Sequence, residues 1–447
     1  MLRLEDASGF SGYADRLLTP RNETEVMEAI RAASVAGAKI TVAGAGTGVT
    51  GGGVPDGGWA LSLKEFSGVA VRPGEATAGA GALIRDVHAA AAATRQFYPP
   101  DPTESAASVG GTVATNASGS RSFRYGATRR WVDRLRVALM DGSVREFHRG
   151  ERIDFEVPEI SHPETSKQTA GYFLRPEMDW VDLFIGSEGT LGIVLEAGLK
   201  LLPAPAALLT GVVFFPSDEL ALSLVADSQP AHLRMLEYLD RGSLELLRPR
   251  FPGIPRAAAA ALLIEEELAN EDDPATERWL ERLQASGALL DGSWFATSAS
   301  DRERFRRFRH ALPEMVNDLV RQKGLLKMGS DYAVPRARNA EMLAFYRERL
   351  EAEFPGRYVI FGHIGDAHLH ANILPATERE AEQARELMME FAREAVRLGG
   401  TVSAEHGLGK RKKHLLHLQY SVEEQAAMRR VKERLDPQWL LGHGTLW

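Results

Sequence analysis

A short β-branched run leads directly into a glycine-rich loop at residues 39–53, which read KITVAGAGTGVTGGG. Upstream, Asn22 and Glu25 match a helix cap with its reciprocal acid, and apolar residues at helical spacing predict a helix over 23–36. A small-residue loop after a strand exposes successive backbone N–H groups, which together form a nest suited to a pyrophosphate. Taken alone, the loop is as typical of a glycine-rich hairpin as of an anion site.

The same loop contains Gly46-Thr-Gly48-Val-Thr-Gly51, which satisfies the G-x-G-x-x-G fingerprint of nicotinamide dinucleotide-binding folds. In those folds the fingerprint opens a helix. Here residues 52–58 are Gly-Gly-Val-Pro-Asp-Gly-Gly, which cannot start one. A nicotinamide-binding domain is therefore not expected.

The composition is that of a globular chain with more than one core. Its 447 residues exceed one ordinary core, and 44% hydrophobic with 26% charged residues is typical of folded proteins. The net charge is −8 and the basic residues are scattered, so a nucleic-acid partner is not expected. No apolar window is long enough for a transmembrane segment, and the expected location is cytoplasmic.

Cysteine is absent from the sequence. This excludes disulfides, cysteinyl flavin links and cysteine-ligated iron–sulfur clusters within the chain. Any metal ion must be bound by His, Asp or Glu.

The pattern of elements changes near Pro203-Ala-Pro205, where the glycine density falls. Strand and helix patterns alternate before this point. Beyond it, helical patterns cover 233–247, 302–322 and 376–398, and strand patterns cover 262–268 and 356–361. Ser421 with Glu424 predicts a capping box that opens a last helix. We therefore predict mixed α and β structure with a domain boundary near residue 205.

Further small-residue loops lie at 99–102, 108–119, 124–126 and 185–193, and several such loops predict one extended ligand. Together with residues 44–53 they resemble the FAD-binding domain of the vanillyl-alcohol oxidase and p-cresol methylhydroxylase family. The resemblance implies that FAD lies extended between two α+β subdomains, with its pyrophosphate on the first glycine loop.

The resemblance also assigns FAD contacts residue by residue. It implies that the pyrophosphate lies on Ala45, Gly46, Thr47 and Gly48, that the flavin faces Pro100, Thr103, Gly110, Thr112, Asn116 and Ser118, and that Glu188, Gly192 and Ile193 lie along the cofactor. Thr112 and Asn116 are individually also typical of turn caps.

A histidine-rich segment at 362–374 reads GHIGDAHLHANIL. Its alternation places His368, His370 and Asn372 on one face of a strand, and a turn at Gly365-Asp366 could fold His363 back onto the same site. A second cluster, Glu405-His406, follows. Two imidazoles and a carboxylate are a usual ligand set for Zn²⁺, Mn²⁺ or Fe²⁺.

These two clusters resemble the C-terminal domain of the FAD-linked D-2-hydroxyacid dehydrogenases, a branch with D-lactate dehydrogenase, the glycolate oxidase flavin subunit and D-2-hydroxyglutarate dehydrogenase. The resemblance implies the following roles: His363, His370 and Glu405 bind a divalent metal, His406 is the catalytic base, Asn372 lies in the substrate pocket and Arg309 binds the substrate carboxylate. It implies hydride transfer from a small D-2-hydroxy acid, D-lactate or glycolate above all, to N5 of FAD.

The resemblance runs from about residue 20 to 440 and implies an α+β fold. We expect a p-cresol methylhydroxylase-type FAD-binding domain of two α+β subdomains at 1–205. A cap or substrate domain with an antiparallel sheet flanked by helices is expected at 206–400. Residues 401–447 are expected to return to the FAD domain with Glu405 and His406.

The chain departs from the usual pattern in four places, and near its start a Tyr-Ser-x-Asp pattern is reduced to Gly12-Tyr-Ala-Asp15. Ala367-His368 stands where the family has Gly-Asn, and residues 442–445, Gly-His-Gly-Thr, replace Asn-Pro-Gly-Lys. His368 could add a metal ligand or only extend the polar face. Pro313 stands where dicarboxylate-specific members have a hydroxyl, which favours a small monocarboxylate.

Three alternatives stay open. An alkylglycerone-phosphate synthase would exchange an alkyl group on the flavin, a flavin subunit would work only inside a larger glycolate oxidase-type complex, and a metal hydrolase would bind no flavin. For a dehydrogenase the electron acceptor is expected to be external: a quinone, a cytochrome, an electron-transfer flavoprotein, an iron–sulfur partner subunit or dioxygen. Such a partner would allow peripheral association with a membrane.

Overall fold

A computed structural model describes residues 2–229, 231–270, 272–296 and 298–447. The strands are β1 Leu2–Glu5, β2 Ser11–Ala14, β3 Arg16–Leu18, β4 Ile40–Ala43, β5 Trp59–Ser62, β6 Val69–Arg72, β7 Glu75–Gly79, β8 Gln96–Phe97, β9 Val132–Ala138, β10 Val144–His148, β11 Ile193–Lys200, β12 Leu202–Pro203, β13 Ala207–Phe215, β14 Leu233–Asp240, β15 Ala260–Leu268, β16 Trp294–Phe295, β17 Met328–Gly329, β18 Tyr358–His363 and β19 His368–Ile373.

The α-helices are α1 Glu23–Ala36, α2 Ile84–Ala92, α3 Val109–Ala114, α4 Ser122–Tyr125, α5 Trp180–Phe184, α6 Asp218–Ala226, α7 Arg241–Leu247, α8 Ala275–Ala285, α9 Ala299–Arg321, α10 Asn339–Glu353, α11 Glu378–Arg397, α12 Leu416–Gln419 and α13 Val422–Leu435. Short 3₁₀ turns lie at Thr128–Trp131, Leu290–Gly292, Arg336–Arg338, Ile364–Asp366 and Lys413–Leu415.

The glycine loop follows a small parallel sheet ordered β3-β5-β4. Helix α1 leads into it, with the Asn22 side chain accepting a hydrogen bond from the Glu25 N–H at 3.0 Å. Val26 and Ile30 on α1 are buried with Ile40 of β4 in one hydrophobic cluster. This packing anchors the start of β4, and the loop begins where β4 ends. The predicted order of helix, strand and glycine loop is confirmed.

A second sheet in this part of the chain is antiparallel and ordered β10-β9-β11-β7-β6. Strand β11 starts at Ile193, directly after the loop at 185–192. Strands β9 and β11 lie in the part of the chain before residue 205, where the sequence predicts alternating strands and helices.

The third sheet has seven strands in the order β16-β13-β15-β14-β18-β19-β17, and every adjacent pair is antiparallel. Helix α9 lies on it with Phe305, Phe308 and Leu312 buried at helical spacing, in one cluster with strand residues such as Phe214. The α+β class and the antiparallel sheet flanked by helices are confirmed. The boundaries near 205 and 400 stay predictions.

The helix predicted over 233–247 is wrong in its first half. Residues 233–240 form β14, which lies between β15 and β18, and the helix α7 begins only at Arg241. All eight residues of β14 are buried. A strand covered on both faces has no period-two alternation, so its apolar run cannot be distinguished from a helical one by periodicity.

The last residues of the chain lie against the glycine loop. The Gly442 N–H donates to the Ile40 carbonyl at 2.8 Å, and the Lys410 ammonium donates to the Gly52 carbonyl at 3.3 Å and to Thr445 Oγ1 at 3.2 Å. The atypical residues 442–445 therefore support the loop through their own contacts. Within the described ranges, no helix combines the length and the apolar character needed to cross a membrane.

Candidate active site

A cleft of about 1170 Å³ opens between the glycine loops. The assigned FAD residues that line it are Ala45, Gly48, Gly110, Glu188, Gly192 and Ile193. At Gly110 a Cβ atom would lie 2.9 Å from the Ala80 Cβ and 3.1 Å from the Ala80 carbonyl oxygen. At this point of the cleft wall, Gly110 lies so close to Ala80 that no side chain fits between them.

Gly110→Ala should weaken retention of FAD and lower the free energy of unfolding by about 1–3 kcal/mol, because the added methyl group overpacks the cleft wall. The matched control is Gly68→Ala, where a Cβ meets nothing within 4 Å and φ is not positive. Flavin content after gel filtration and a denaturant titration measure the two effects. Equal flavin content in both variants would contradict this account of the wall.

Other assigned FAD residues use their side chains locally. The Thr112 hydroxyl donates to the Val109 carbonyl at 2.9 Å, and Asn116 Oδ1 accepts the Arg129 N–H at 2.9 Å. Gly46 and Thr47 belong to the glycine loop beside the cleft, and the Pro100 carbonyl contacts His88 Nε2 at 3.0 Å.

Two residues assigned to the flavin lie elsewhere on the site. Thr103 lines a second pocket, where its hydroxyl accepts a hydrogen bond from Arg309 Nη1 at 3.4 Å. The Ser118 hydroxyl donates to Glu405 Oε2 at 2.9 Å. Both therefore contact residues assigned to the substrate and the metal.

Glu188 connects the FAD cleft with the loop that carries Glu405 and His406. Its carboxylate accepts the backbone N–H groups of Leu408 at 2.9 Å and Gly409 at 2.7 Å. Burial raises the pKa of Glu188 to about 7, although both N–H groups favour the charged form.

The second pocket, of about 720 Å³, lies between α9 and the seven-stranded sheet. It is lined by residues that include Arg309, Pro313, Lys327, His363, His370, Asn372, Glu405 and His406. Arg309 Nε donates to Glu237 Oε2 at 3.1 Å. Burial lowers the pKa of Lys327 to about 8. The pocket thus presents two cationic side chains.

The hairpin of β18 and β19 brings the imidazoles together. His363 at the end of β18 pairs with His368, and the turn between them is the 3₁₀ segment Ile364–Asp366. The predicted return of His363 onto the site of His370 is confirmed, since the two ring centroids are 5.9 Å apart.

Three donor atoms converge beside this hairpin. His363 Nε2 and His370 Nε2 each lie 3.4 Å from Glu405 Oε1. His370 Nδ1 donates to the Ser330 carbonyl at 2.9 Å, since a carbonyl can only accept. His363 Nδ1 contacts Glu237 Oε1 at 2.5 Å. Because each imidazole uses Nδ1 for these contacts, its Nε2 lone pair is left for a metal ion. Carboxylates and carbonyls orient metal-binding imidazoles in this way.

The charges around these donors also fit a cation. Burial opposes protonation of His363, but the Glu237 and Glu405 carboxylates raise its pKa to about 9. The pKa of Glu405 is held well below its usual range by Lys167 and His363 in spite of burial. The residues present therefore suit a divalent metal, which would displace the proton from His363.

His406 lines both the FAD cleft and the second pocket. Its ring is nearly parallel to that of His370, with centroids 5.6 Å apart, and its Nδ1 lies 3.4 Å from Asp331 Oδ1. Burial lowers the pKa of His406 to about 4, so the imidazole is neutral at pH 7 and can accept a proton.

Sequence reasoning missed four charged residues around the clusters, three of them buried and one, Lys327, half-buried. They are Lys167, Glu237, Lys327 and Asp331, all close to the residues it did identify. Asp331 accepts hydrogen bonds from the Ser403 hydroxyl at 2.8 Å and from the His406 N–H at 3.0 Å. None stands in a repeated or spaced pattern along the chain, so the sequence offers no signal for them.

Comparison with known proteins identifies the family of the chain. Residues 14–148 match the model of an FAD binding domain, and residues 204–446 match the C-terminal domain of FAD linked oxidases. Glycolate oxidase subunit GlcD of Bacillus subtilis (strain 168) is 30% identical, over 98% of this chain and 90% of that protein. D-lactate dehydrogenase of Anaerostipes hadrus is also 30% identical, over 91% of this chain and 84% of that protein.

The chain therefore belongs to the FAD-linked oxidase family and is an FAD-linked oxidoreductase. The family resemblance drawn from the glycine loops and the histidine strand is confirmed. Among solved structures, an alkyldihydroxyacetonephosphate synthase aligns with a TM-score of 0.69 at 16% identity, covering 95% of this chain and 76% of that one. At that identity the likeness shows the fold alone.

Proposed function

We propose that the chain oxidises a small D-2-hydroxy acid, D-lactate or glycolate above all, to the 2-oxo acid. The position of His406 carries this proposal. His406 lines the cleft between the glycine loops, and it also lines the second pocket, which contains Arg309 and the three possible metal ligands. A substrate in that pocket would have its reacting carbon between a base and the flavin. The relatives named for glycolate and D-lactate support the same substrate class.

When bound, FAD would act as the two-electron acceptor, and a divalent cation held by His363, His370 and Glu405 would supply a Lewis acid. The assigned contacts from Ala45 to Gly48, and those of Gly110, Glu188, Gly192 and Ile193, would hold the FAD. The cation is inferred from the donor set and from the orientation of both imidazoles.

His406 takes the proton of the substrate hydroxyl at Nε2. Its Nδ1 faces the buried Asp331 carboxylate, which stabilises the imidazolium that forms. Its Nε2 lies 3.7 Å from Glu405 Oε1, close to the three donor atoms. The base and the hydroxyl it deprotonates therefore share one small volume, as general base catalysis requires.

Arg309 and Lys327 bind the substrate carboxylate. Arg309 Nε donates to Glu237 and Nη1 donates to the Thr103 hydroxyl, which leaves Nη2 and the second Nη1 hydrogen for the substrate. Asn372, whose Nδ2 donates to the His370 carbonyl at 2.9 Å, lines the same pocket. Anchoring the carboxylate orients C2 and so contributes to the rate.

Arg309→Lys should lower kcat/KM for the hydroxy acid by about 10–100-fold, because a point charge replaces a fork that can donate two hydrogen bonds to the carboxylate. Arg306→Lys, one turn earlier on α9, is the control and should leave kcat/KM unchanged. Initial rates with an artificial electron acceptor measure both. An unchanged kcat/KM in a folded, FAD-loaded Arg309→Lys enzyme would remove Arg309 from this role.

The electron acceptor is proposed to be external, since the 447 residues contain no cysteine to ligate an iron–sulfur cluster. A quinone, a cytochrome, an electron-transfer flavoprotein, an iron–sulfur subunit or dioxygen would serve. The proposal is tested by supplying D-lactate, L-lactate and glycolate with an artificial acceptor and identifying the product. A 2-oxo acid from the D enantiomer supports it, whereas an FAD-loaded protein that oxidises none of the three acids would favour synthase chemistry.

A further inference from the structure

The two carboxylate oxygens of Glu405 have different surroundings. Oε1 faces the Nε2 atoms of His363 and His370, both at 3.4 Å. Oε2 accepts hydrogen bonds from the Ser118 hydroxyl at 2.9 Å and from the Lys167 ammonium at 3.1 Å. The side of Glu405 that faces the imidazoles is therefore a single oxygen.

Lys167 is a fully buried cation whose position is fixed by several groups. Besides Glu405, its ammonium lies 3.8 Å from Asp366 Oδ2 and 3.5 Å from His368 Nδ1. An ammonium can only donate, so His368 Nδ1 must present its lone pair to Lys167 and the ring proton must be on Nε2. His368 Nε2 then donates to Asp331 Oδ1 at 3.1 Å.

Both ring nitrogens of His368 therefore make contacts other than with the three donor atoms, which are His363 Nε2, His370 Nε2 and Glu405 Oε1. A ring nitrogen of His368 does lie within 4.8 Å of ligand atoms of His363, His370 and Glu405, which is close enough for a fourth ligand. However, the lone pair of His368 is directed at Lys167. His368 is therefore better suited to orient the lysine than to bind the cation.

We propose that Lys167, held by His368 and assisted by Ser118, makes Glu405 a one-oxygen ligand and so keeps a coordination position open for the substrate. This inference rests on the proposed function, which supplies the divalent cation. A carboxylate can bind a metal through one oxygen or two, and a charge-assisted hydrogen bond from an ammonium competes for the second. Lys167 is a positioning residue in this scheme.

The open position matters because sites that activate a substrate keep one free, whereas closed sites are structural. His363, His370 and Oε1 of Glu405 provide three ligand atoms. A two-oxygen Glu405, or His368 as an additional ligand, would fill the position that the hydroxyl oxygen needs.

The test uses the full-length, FAD-bound protein loaded with Co²⁺, whose ligand-field absorption depends on coordination number. Cobalt content and absorption are measured, as a difference spectrum against the same protein with Zn²⁺, for the native chain, Lys167→Met, Ser118→Ala and His368→Asn. Lys412→Met, which removes another lysine near Asp331, is the matched control. Activity is not needed for the result.

We expect Lys167→Met to keep its cobalt but to show weaker, shifted bands of a higher coordination number, because Oε2 becomes free to bind. Ser118→Ala should shift the bands in the same direction and by less. His368→Asn should keep its cobalt and the band intensity of a site with an open position, and Lys412→Met should match the native spectrum.

Each contrary result is distinct. A native protein that binds no cobalt removes the proposed metal, and with it the premise. If the native protein binds cobalt and Lys167→Met gives the same spectrum, the role of Lys167 is overturned while the proposed function stands. Loss of cobalt in His368→Asn has the same meaning. Should Lys167→Met fail to fold, a folded Ser118→Ala with an unchanged spectrum overturns it.

Discussion

Replacing His406 by Asn is expected to leave FAD bound while slowing its reduction by the hydroxy acid about 10²–10⁴-fold, the usual contribution of a positioned general base. Asparagine keeps a polar side chain beside Asp331 but cannot take the hydroxyl proton. The expected loss is large because the His406 imidazole lines both the cleft and the second pocket. Stopped-flow absorbance of the flavin under anaerobic conditions measures the rate constant.

His417→Asn is the control for this experiment, since His417 is exposed on α12 and lines neither pocket. Its reduction rate should equal that of the native protein. Undiminished reduction in His406→Asn would show that another group is the base.

Glu405→Gln is expected to abolish binding of the divalent metal and to slow flavin reduction by about 10³-fold or more, since Lewis-acid stabilisation is worth several kcal/mol. The amide has nearly the same shape but presents no charged oxygen to His363 and His370. It also leaves the buried Lys167 ammonium without its closest carboxylate, at 3.1 Å in the native protein. Metal analysis and stopped-flow absorbance measure the two losses.

Glu28→Gln, at an exposed position on α1, removes the same charge far from the site and should change neither quantity. Thermal unfolding of both variants separates loss of metal from loss of fold. Native-like metal content in a folded Glu405→Gln protein would contradict the assignment of Glu405 as a ligand.

Much of the fold could be predicted because its signals are local. Asn22 with Glu25 caps α1, and Ser421 with Glu424 forms the capping box of α13. Glycine spacing in residues 44–53 indicates a loop rather than a helix start. The error at β14 has a physical cause. The strand is buried on both faces, so its sequence lacks the alternation of polar and apolar residues on which strand prediction depends.

The residues that complete the site could not be predicted because they lie far apart in the chain. Glu237 contacts His363 across 126 positions, and Lys167 contacts Glu405 across 238. Such pairings depend on how β14, β18 and the 165–170 segment pack, which no short-range pattern records. The histidine strand was recognisable because its polar residues follow the period of a strand, which the sequence displays directly.

The proposed oxidation is tested by an anaerobic visible spectrum of the purified protein before and after adding D-lactate, glycolate and D-2-hydroxyglutarate in turn. We expect a flavin band near roughly 450 nm that bleaches with one of the small acids, because reduced FAD is the product of hydride transfer. A band that no hydroxy acid bleaches would contradict the proposed oxidation, and a protein that shows no flavin band after reconstitution with FAD would contradict the cofactor assignment itself.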